Sequence, residues 1–372
     1  MKRLLVVQYA GDYRQAWRQI TASGTESYHA HRYVLDSMAR LARDHGAAGL
    51  LCCQMQERYS ETLPNGVTVI GGAASADRDW RAIAALIEEF APTHLVLHGP
   101  MTRLLAWALQ RPYRLACIFA DSFEISWLRR RLKYGALPAL LNRPKVEWIA
   151  NHGENACRSL RRIGVDGVKI RVWDFPHEKK PHDLPAKTGP GDPPFTLLYV
   201  GALLPSKGVG DLIRATALLR RRGLSIEAKI VGGGDRAPFE ALARKCGIAS
   251  HVHFPGTLPN ARITEEMRRA ALVAVPSRHS YPEGLPLTIY EALCSRTPIV
   301  ASDHPMFAGH LVDGRTALLH AERNPASLAR AAERLLTDDG LYRALSQAAP
   351  ACWEGLQIDR KWGDLLGEWL TD

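Results

Sequence analysis

The sequence predicts an α/β protein of two doubly wound parallel-sheet domains. Three observations lead there. The chain has 372 residues, more than one hydrophobic core usually organises. Short apolar runs alternate with helical patterns along most of its length, which argues for strand–helix–strand units. The alternation breaks at residues 176–194, PHEKKPHDLPAKTGPGDPP, a stretch rich in Pro, Gly and charge. Such composition without periodicity reads as a linker, so residues 1–175 form one domain and 195–348 another.

In the first domain the strand candidates are LLVVQYA, GLLCC, GVTVIGG, HLVLHG, RLACIFA, VEWIANH and GVKIRVW. Helical patterns lie between them, such as YHAHRYVLDSMARLARDHG with apolar positions at 33, 34, 38 and 41. Ligands of such sheets bind beyond the carboxyl ends of the strands, which singles out Gly11, His98, Asp121 and Asn151. His98 follows THLVL and precedes Gly99-Pro100; Asp121 follows RLACIFA and precedes Ser122. Either suits a ligand site, and either would serve as a helix cap.

The second domain repeats the pattern with FTLLYVGA, a helix over 208–222, IEAKIVGGG, a helix over 236–246, HVHF, ALVAVPS and PIVAS. VGALLPSKGVGDLI reads as strand, glycine turn, Lys207 and helix. A lysine at a helix N-terminus suits a phosphate, although a surface lysine in a turn looks the same. In VGGGD, Gly233 and Gly234 let backbone approach a ring or ribose, and a plain turn has the same composition. In RHSYPEGLPLTIYEALCSRTPIVAS, residues 278–302, Glu283 and Glu291 stand eight apart around a helix opening at Pro286. The amides of Leu287 and Thr288 have no partner inside that helix and suit an anion. A carboxylate on each side of a phosphate-sized site fits a ligand with hydroxyls at both ends of a diphosphate, that is, a nucleotide sugar. Two solvated glutamates would share the spacing, so the motif depends on its neighbours.

Composition bounds the alternatives. The chain is 46% hydrophobic and 23% charged, ordinary for a soluble globular protein. MKRLLVVQYA is too short for a signal peptide or a membrane span, and a cytoplasmic location is expected. The seven cysteines show no CxxC or Cys/His ligand spacing, which predicts buried thiols and neither zinc nor disulfides. No metal-binding carboxylate pair is evident. The net charge of +10 is lopsided: residues 1–187 hold 27 Lys+Arg against 18 Asp+Glu, a net of +9, and the remainder 21 against 20. A basic half suggests an anionic partner. Nucleic acid is not favoured, since no binding module appears. The segment 126–145, SWLRRRLKYGALPALLNRPK, mixes six cations with Trp127, Leu128, Leu132, Leu137, Leu140 and Leu141. That mixture suits an anionic membrane surface or a solvated helix face.

The motifs VGALLPSKG, IVGGGD, HVHFPG, LVAVPSRHSYPEGLPLTIYEAL, TPIVASD and LVDGRTALL occur in one order. That order resembles the second domain of the retaining GT-B glycosyltransferases with the E-x7-E motif, well over 195–340 and in outline over 1–175. The resemblance implies a GT-B fold and hexose transfer from a UDP- or GDP-linked sugar in an interdomain cleft, without a further cofactor. It implies that Glu283 contacts the transferred sugar and Glu291 the ribose. Lys207 with the Leu287 and Thr288 amides would hold the diphosphate, and Gly233 and Gly234 would lie near the nucleoside. SGTE at 23–26, with Gly24 and Thr25, resembles the loop facing phosphates and acceptor. Residues 349–372 resemble the terminal helix that returns to the first domain, anchored by Trp353, Trp362 and Trp369.

Two departures stand out. Ala202 occupies a position that is commonly arginine, and Ala120 one that is often histidine before Asp121; His98 would substitute for the latter. The acceptor is expected to be a glycan or a lipid-linked precursor of a surface polysaccharide, met on the inner face of the cell membrane. A nucleotide-sugar epimerase and a non-catalytic binding relative are the rival readings. A nicotinamide oxidoreductase is disfavoured, because no glycine fingerprint follows the first strand.

Overall fold

A computed structural model describes residues 1–9, 11–26, 30–73, 75–123 and 135–372. The chain divides into two compact units, one of residues 1–176 with 358–372 and one of 177–357.

The first unit holds an eight-stranded sheet. Its strands are β1 (Lys2–Gln8), β2 (Gly46–Cys52), β3 (Met55–Thr62), β4 (Val67–Ala73), β5 (His94–His98), β6 (Arg114–Phe119), β7 (Val146–His152) and β8 (Ile170–Trp173), in the order β3-β4-β2-β1-β5-β6-β7-β8. All pairs are parallel except β3 with β4. The edge strand β3, MQERYSET, has no apolar run and escapes sequence reading. The helices are α1 (Tyr13–Ser23), α2 (His31–His45), α3 (Trp80–Phe90), α4 (Thr102–Ala108), α5 (Leu137–Leu141) and α6 (Glu154–Arg162). Alternate strand residues point to opposite faces. Leu5, Val7, Leu95 and Leu97 therefore pack on one side with Ile83 and Leu104, and Leu4, Val6 and Val96 on the other with Leu35 and Met38.

The second unit holds a six-stranded, all-parallel sheet. Its strands are β9 (Phe195–Val200), β10 (Ile226–Val231), β11 (Val252–Gly256), β12 (Leu272–Val275), β13 (Ile299–Ser302) and β14 (Leu318–His320), in the order β11-β10-β9-β12-β13-β14. The connecting helices are α7 (Val209–Arg221), α8 (Ala237–Lys245), α9 (Asn260–Arg269), α10 (Leu287–Cys294), α11 (Pro325–Thr337) and α12 (Asp339–Glu354). Strand order reverses between β9 and β12 here, and between β1 and β5 in the first unit. Ligands of open α/β sheets bind at such reversals.

Two expectations need correction. Residues 177–194 belong to the second unit. Lys187 donates its backbone amide to Ser346 Oγ (2.8 Å) and its ammonium to the carbonyls of Arg268 (3.1 Å) and Ala270 (2.6 Å) at the end of α9. Burial lowers that ammonium to about 8. The stretch that reads as a linker is thus pinned by hydrogen bonds that composition does not reveal. The chain also returns to the first unit later than expected. α12 stays with the second unit, where Tyr342 and Leu345 enter its core. Trp353 lies beside His177 of the same unit (6.4 Å between rings). The chain rejoins the first unit at residue 358, and α13 (Trp362–Thr371) packs there through Trp362, Leu365, Leu366 and Trp369.

Candidate active site

At the carboxyl edge of the second sheet, β9 and β12 deliver two loops side by side. After β9 the chain turns through Gly201 and a single 3-10 turn, Pro205–Lys207, into α7. Gly208, at φ +77°, lets that turn touch the other loop: a Cβ there would stand 2.0 Å from the Pro276 carbonyl oxygen. Only glycine accepts both the backbone conformation and the contact. The Arg278 amide donates to the Ser206 carbonyl (2.9 Å). Its guanidinium donates twice to Asp211 of α7, both at 2.9 Å. Asp211 is buried, and a bidentate charge pair of this kind fixes geometry as well as energy.

That clamp brings Lys207 to Glu283. Lys207 Nζ donates to Glu283 Oε1 at 2.6 Å and lies 4.2 Å from the centroid of the Tyr281 ring. Ser277 Oγ donates to the same carboxylate oxygen at 2.6 Å. Sequence reading assigns Lys207 to a diphosphate and Glu283 to a sugar; the structure pairs them with each other. Ser277, Tyr281, Arg278 and Asp211 are absent from that reading. Ser277 alone had a local signal, as the last residue of the strand run ALVAVPS.

The donor-side helix α10 begins at Leu287, with Pro286 as its N-cap in extended conformation, one residue later than expected. Among the described residues no acceptor pairs with the Leu287 or Thr288 amides. The Thr288 hydroxyl donates to the Val200 carbonyl at the end of β9 (3.2 Å), which seats the helix start on the strand reversal. Free amides and the helix dipole place positive potential there. Gly233 and Gly234 are exposed, and the Leu203 amide donates to the Gly233 carbonyl (2.8 Å), so the VGGGD turn flanks the β9 loop.

Glu291 lies one turn deeper, and no hydrogen bond to its carboxylate is present among the described residues. Burial pushes it up to about 7 from the ordinary 4.5, with Lys179 pulling slightly the other way. The sign follows. Between pH 4.5 and 7 the unfolded chain loses this proton while the folded chain keeps it, so stability falls as pH rises through that window and levels off above it. Glu291→Gln removes the effect. Its melting temperature relative to wild type is expected to be several degrees higher at pH 8 than at pH 5, and an equal difference at both pH values contradicts this.

In the first unit, His98 ends β5 beside Gln8 of β1. Its Nδ1 is buried without a hydrogen-bond partner among the described residues, and burial, then nearby His152, lowers the imidazole to about 4. The imidazole is therefore neutral at physiological pH. Asp121 follows β6, the neighbouring strand, and its carbonyl accepts from Asn151 Nδ2 (2.9 Å). Sequence reading missed a buried pair at this edge, His152 Nε2 with Asp174 Oδ1 at 2.7 Å. Gly24 caps α1 at φ +69°. Thr25 Oγ1 pairs with Ser23 Oγ (2.7 Å), and Arg32 donates to the Gly24 carbonyl (2.9 Å). This loop is tied to its own neighbours, and residues 27–29 after it lie outside the described residues.

Two Rossmann-like units with candidate side chains at their carboxyl edges define an α/β protein of the GT-B type. Residues 182–351, nearly all of the second unit, match the family model described as glycosyl transferases group 1. A D-inositol 3-phosphate glycosyltransferase of Nocardia farcinica is 36% identical over 226 residues, covering 55% of this chain and 49% of that protein. The chain thus spans about half the length of the curated relatives it matches. A sucrose-phosphate synthase from Thermosynechococcus elongatus superposes with a TM-score of 0.74 at 16% identity, over 100% of this chain and 98% of that one. Anabaena HepE, solved with UDP and glucose, superposes with a TM-score of 0.70 at 13% identity over 100% of both chains. At those identities the likeness is one of fold.

Proposed function

We propose that the chain moves a hexose from a UDP- or GDP-linked sugar to a glycan or lipid-linked acceptor, with retention at the anomeric carbon. One observation carries the reading. The Leu287 and Thr288 amides, unpaired among the described residues, the Lys207–Glu283 pair and Glu291 sit on two neighbouring loops and helix α10 at one strand reversal. Cationic and dipolar groups aimed at a leaving diphosphate stabilise charge where it develops. The bond from the anomeric carbon to the phosphate oxygen breaks, and the acceptor oxygen bonds to that carbon on the same face. The acceptor proton passes to the departing phosphate. Glu283 would orient the sugar and Glu291 the ribose, with Gly233 and Gly234 beside the nucleoside. Asp121, neutral His98 and the Gly24–Thr25 loop would serve the acceptor side. The donor is the substrate, and the reading invokes no further cofactor.

A thermal-shift panel of UDP-, GDP- and ADP-sugars tests this. A ligand at 100 times its Kd adds about 2.7 kcal/mol to the folded state, so at least one nucleotide sugar should raise the melting temperature by several degrees. A panel without any shift contradicts the reading. Product analysis without acceptor separates transfer from epimerisation, and donor binding without turnover would mark a non-catalytic relative.

Docking on an anionic cytoplasmic leaflet is a second element of the proposal. Among the described residues no helix is long and apolar enough to cross a membrane. Of segment 126–145, residues 126–134, with Arg129, Arg130, Arg131 and Lys133, lie outside the described residues. Leu137 and Leu141 are spent on the core, which takes them out of the lipid-facing series. The observation favouring docking is Val168, 92% exposed, on a turn beside Arg161: a Cβ on Gly167 would lie 3.4 Å from Arg161 Nε. An apolar knob beside cations suits a lipid surface. The protein should co-sediment with anionic but not neutral liposomes at low salt, less so after Val168→Asp with Arg129, Arg130 and Arg131 changed to Ser. Protein left in the supernatant with anionic liposomes contradicts docking.

A further inference from the structure

We propose that Ser277 is a positioning residue that keeps the Glu283 carboxylate in place while Lys207 serves the donor's phosphates; this rests on the function proposed above. Glu283 is buried, and among the described residues both hydrogen bonds to its carboxylate fall on one oxygen: Oε1 accepts from Lys207 Nζ and from Ser277 Oγ, each at 2.6 Å. Oε2 accepts no hydrogen bond among the described residues, so it is the oxygen left for a ligand hydroxyl.

The two anchors differ in kind. Lys207 is a mobile ammonium on a four-carbon stem, and an arriving diphosphate competes for it directly. Ser277 is a short, neutral side chain with little attraction for phosphate. Its backbone is held in turn: the Ser277 carbonyl accepts from Ser302 Oγ at the end of β13 (2.5 Å), and both serines are buried. The relay Ser302–Ser277–Glu283 therefore survives a turn of Lys207 toward phosphate. It keeps Oε1 on its protein partners and leaves Oε2 to a ligand. Without Ser277 the carboxylate follows Lys207, and Oε2 is lost to the sugar while the phosphate contacts remain.

The test separates sugar from nucleotide. Calorimetric titration of wild type and Ser277→Ala with UDP and UDP-glucose is run first, and with GDP and GDP-mannose if the panel selects guanine. UDP should bind the variant within about twofold of wild type, which also shows that the fold is intact. The nucleotide sugar should bind about tenfold more weakly, the scale of one charge-assisted hydrogen bond. Ser302→Ala, which touches only the Ser277 carbonyl, should give a smaller loss of the same kind. Equal weakening of UDP and UDP-glucose, or no weakening of either, overturns the role of Ser277 and leaves the proposed function standing. Wild-type protein that binds no nucleotide sugar overturns both.

Discussion

Glu283→Gln is expected to lower kcat by about 10- to 150-fold while the fold persists. The carboxylate is the group that the proposal places against the sugar, on the β12 loop beside Lys207. A hydrogen bond to a charged group contributes about 1.5–3 kcal/mol, and each 1.36 kcal/mol is tenfold in rate. The amide also loses its ion pair with Lys207, so the lysine is no longer held at 2.6 Å. The second core, built on residues such as Leu197, Ile213 and Ile230, does not include Glu283, so circular dichroism should match wild type. Nucleoside diphosphate binding should hold or tighten, because the freed Lys207 has only the phosphates to pair with. Near-wild-type turnover, or parallel loss of turnover and diphosphate binding, contradicts the assignment.

Gly208→Ala is expected to destabilise the second unit strongly. At φ +77° its Cβ would stand 2.0 Å from the Pro276 carbonyl oxygen. The Lys207 turn and the Glu283 loop must then part, and α7 shifts with them. Backbone strain combined with overlap of this size costs on the order of 3–5 kcal/mol, or about 10 °C in melting temperature for a domain of this size. Gly223→Ala is the matched control. Its φ is also positive, at +90°, but a Cβ there meets nothing within 4 Å, so only conformational strain of about 1–2 kcal/mol remains. Differential scanning calorimetry of both variants decides it. Equal losses would mean that the contact with Pro276 is unimportant.

The elements legible in the sequence are those whose physics is local. A parallel strand buried on both faces reads as a continuous apolar run, and β1, β5, β9 and β13 were visible for that reason. The opening of α10 was visible because Pro286 marks a helix start. Elements that depend on distant partners were not. β3 is a charged edge strand fixed by its antiparallel pairing with β4. The length of α12 is hidden because Pro350 interrupts the helical pattern without ending the helix. The Lys207–Glu283 bond joins residues 76 apart, and the His152–Asp174 pair spans two strand ends. No periodicity encodes either distance. Residues 177–194 look like a linker because composition registers missing apolar residues but not the carbonyls that Lys187 finds.

The reversal between β9 and β12 is proposed to bind a nucleoside diphosphate, and a crystal structure with UDP or GDP would show it. Phosphate oxygens should lie about 2.7–3.2 Å from the Leu287 and Thr288 amides and from Lys207 Nζ, with the ribose hydroxyls on Glu291. A nucleotide bound elsewhere, with those two amides still facing solvent, would contradict it.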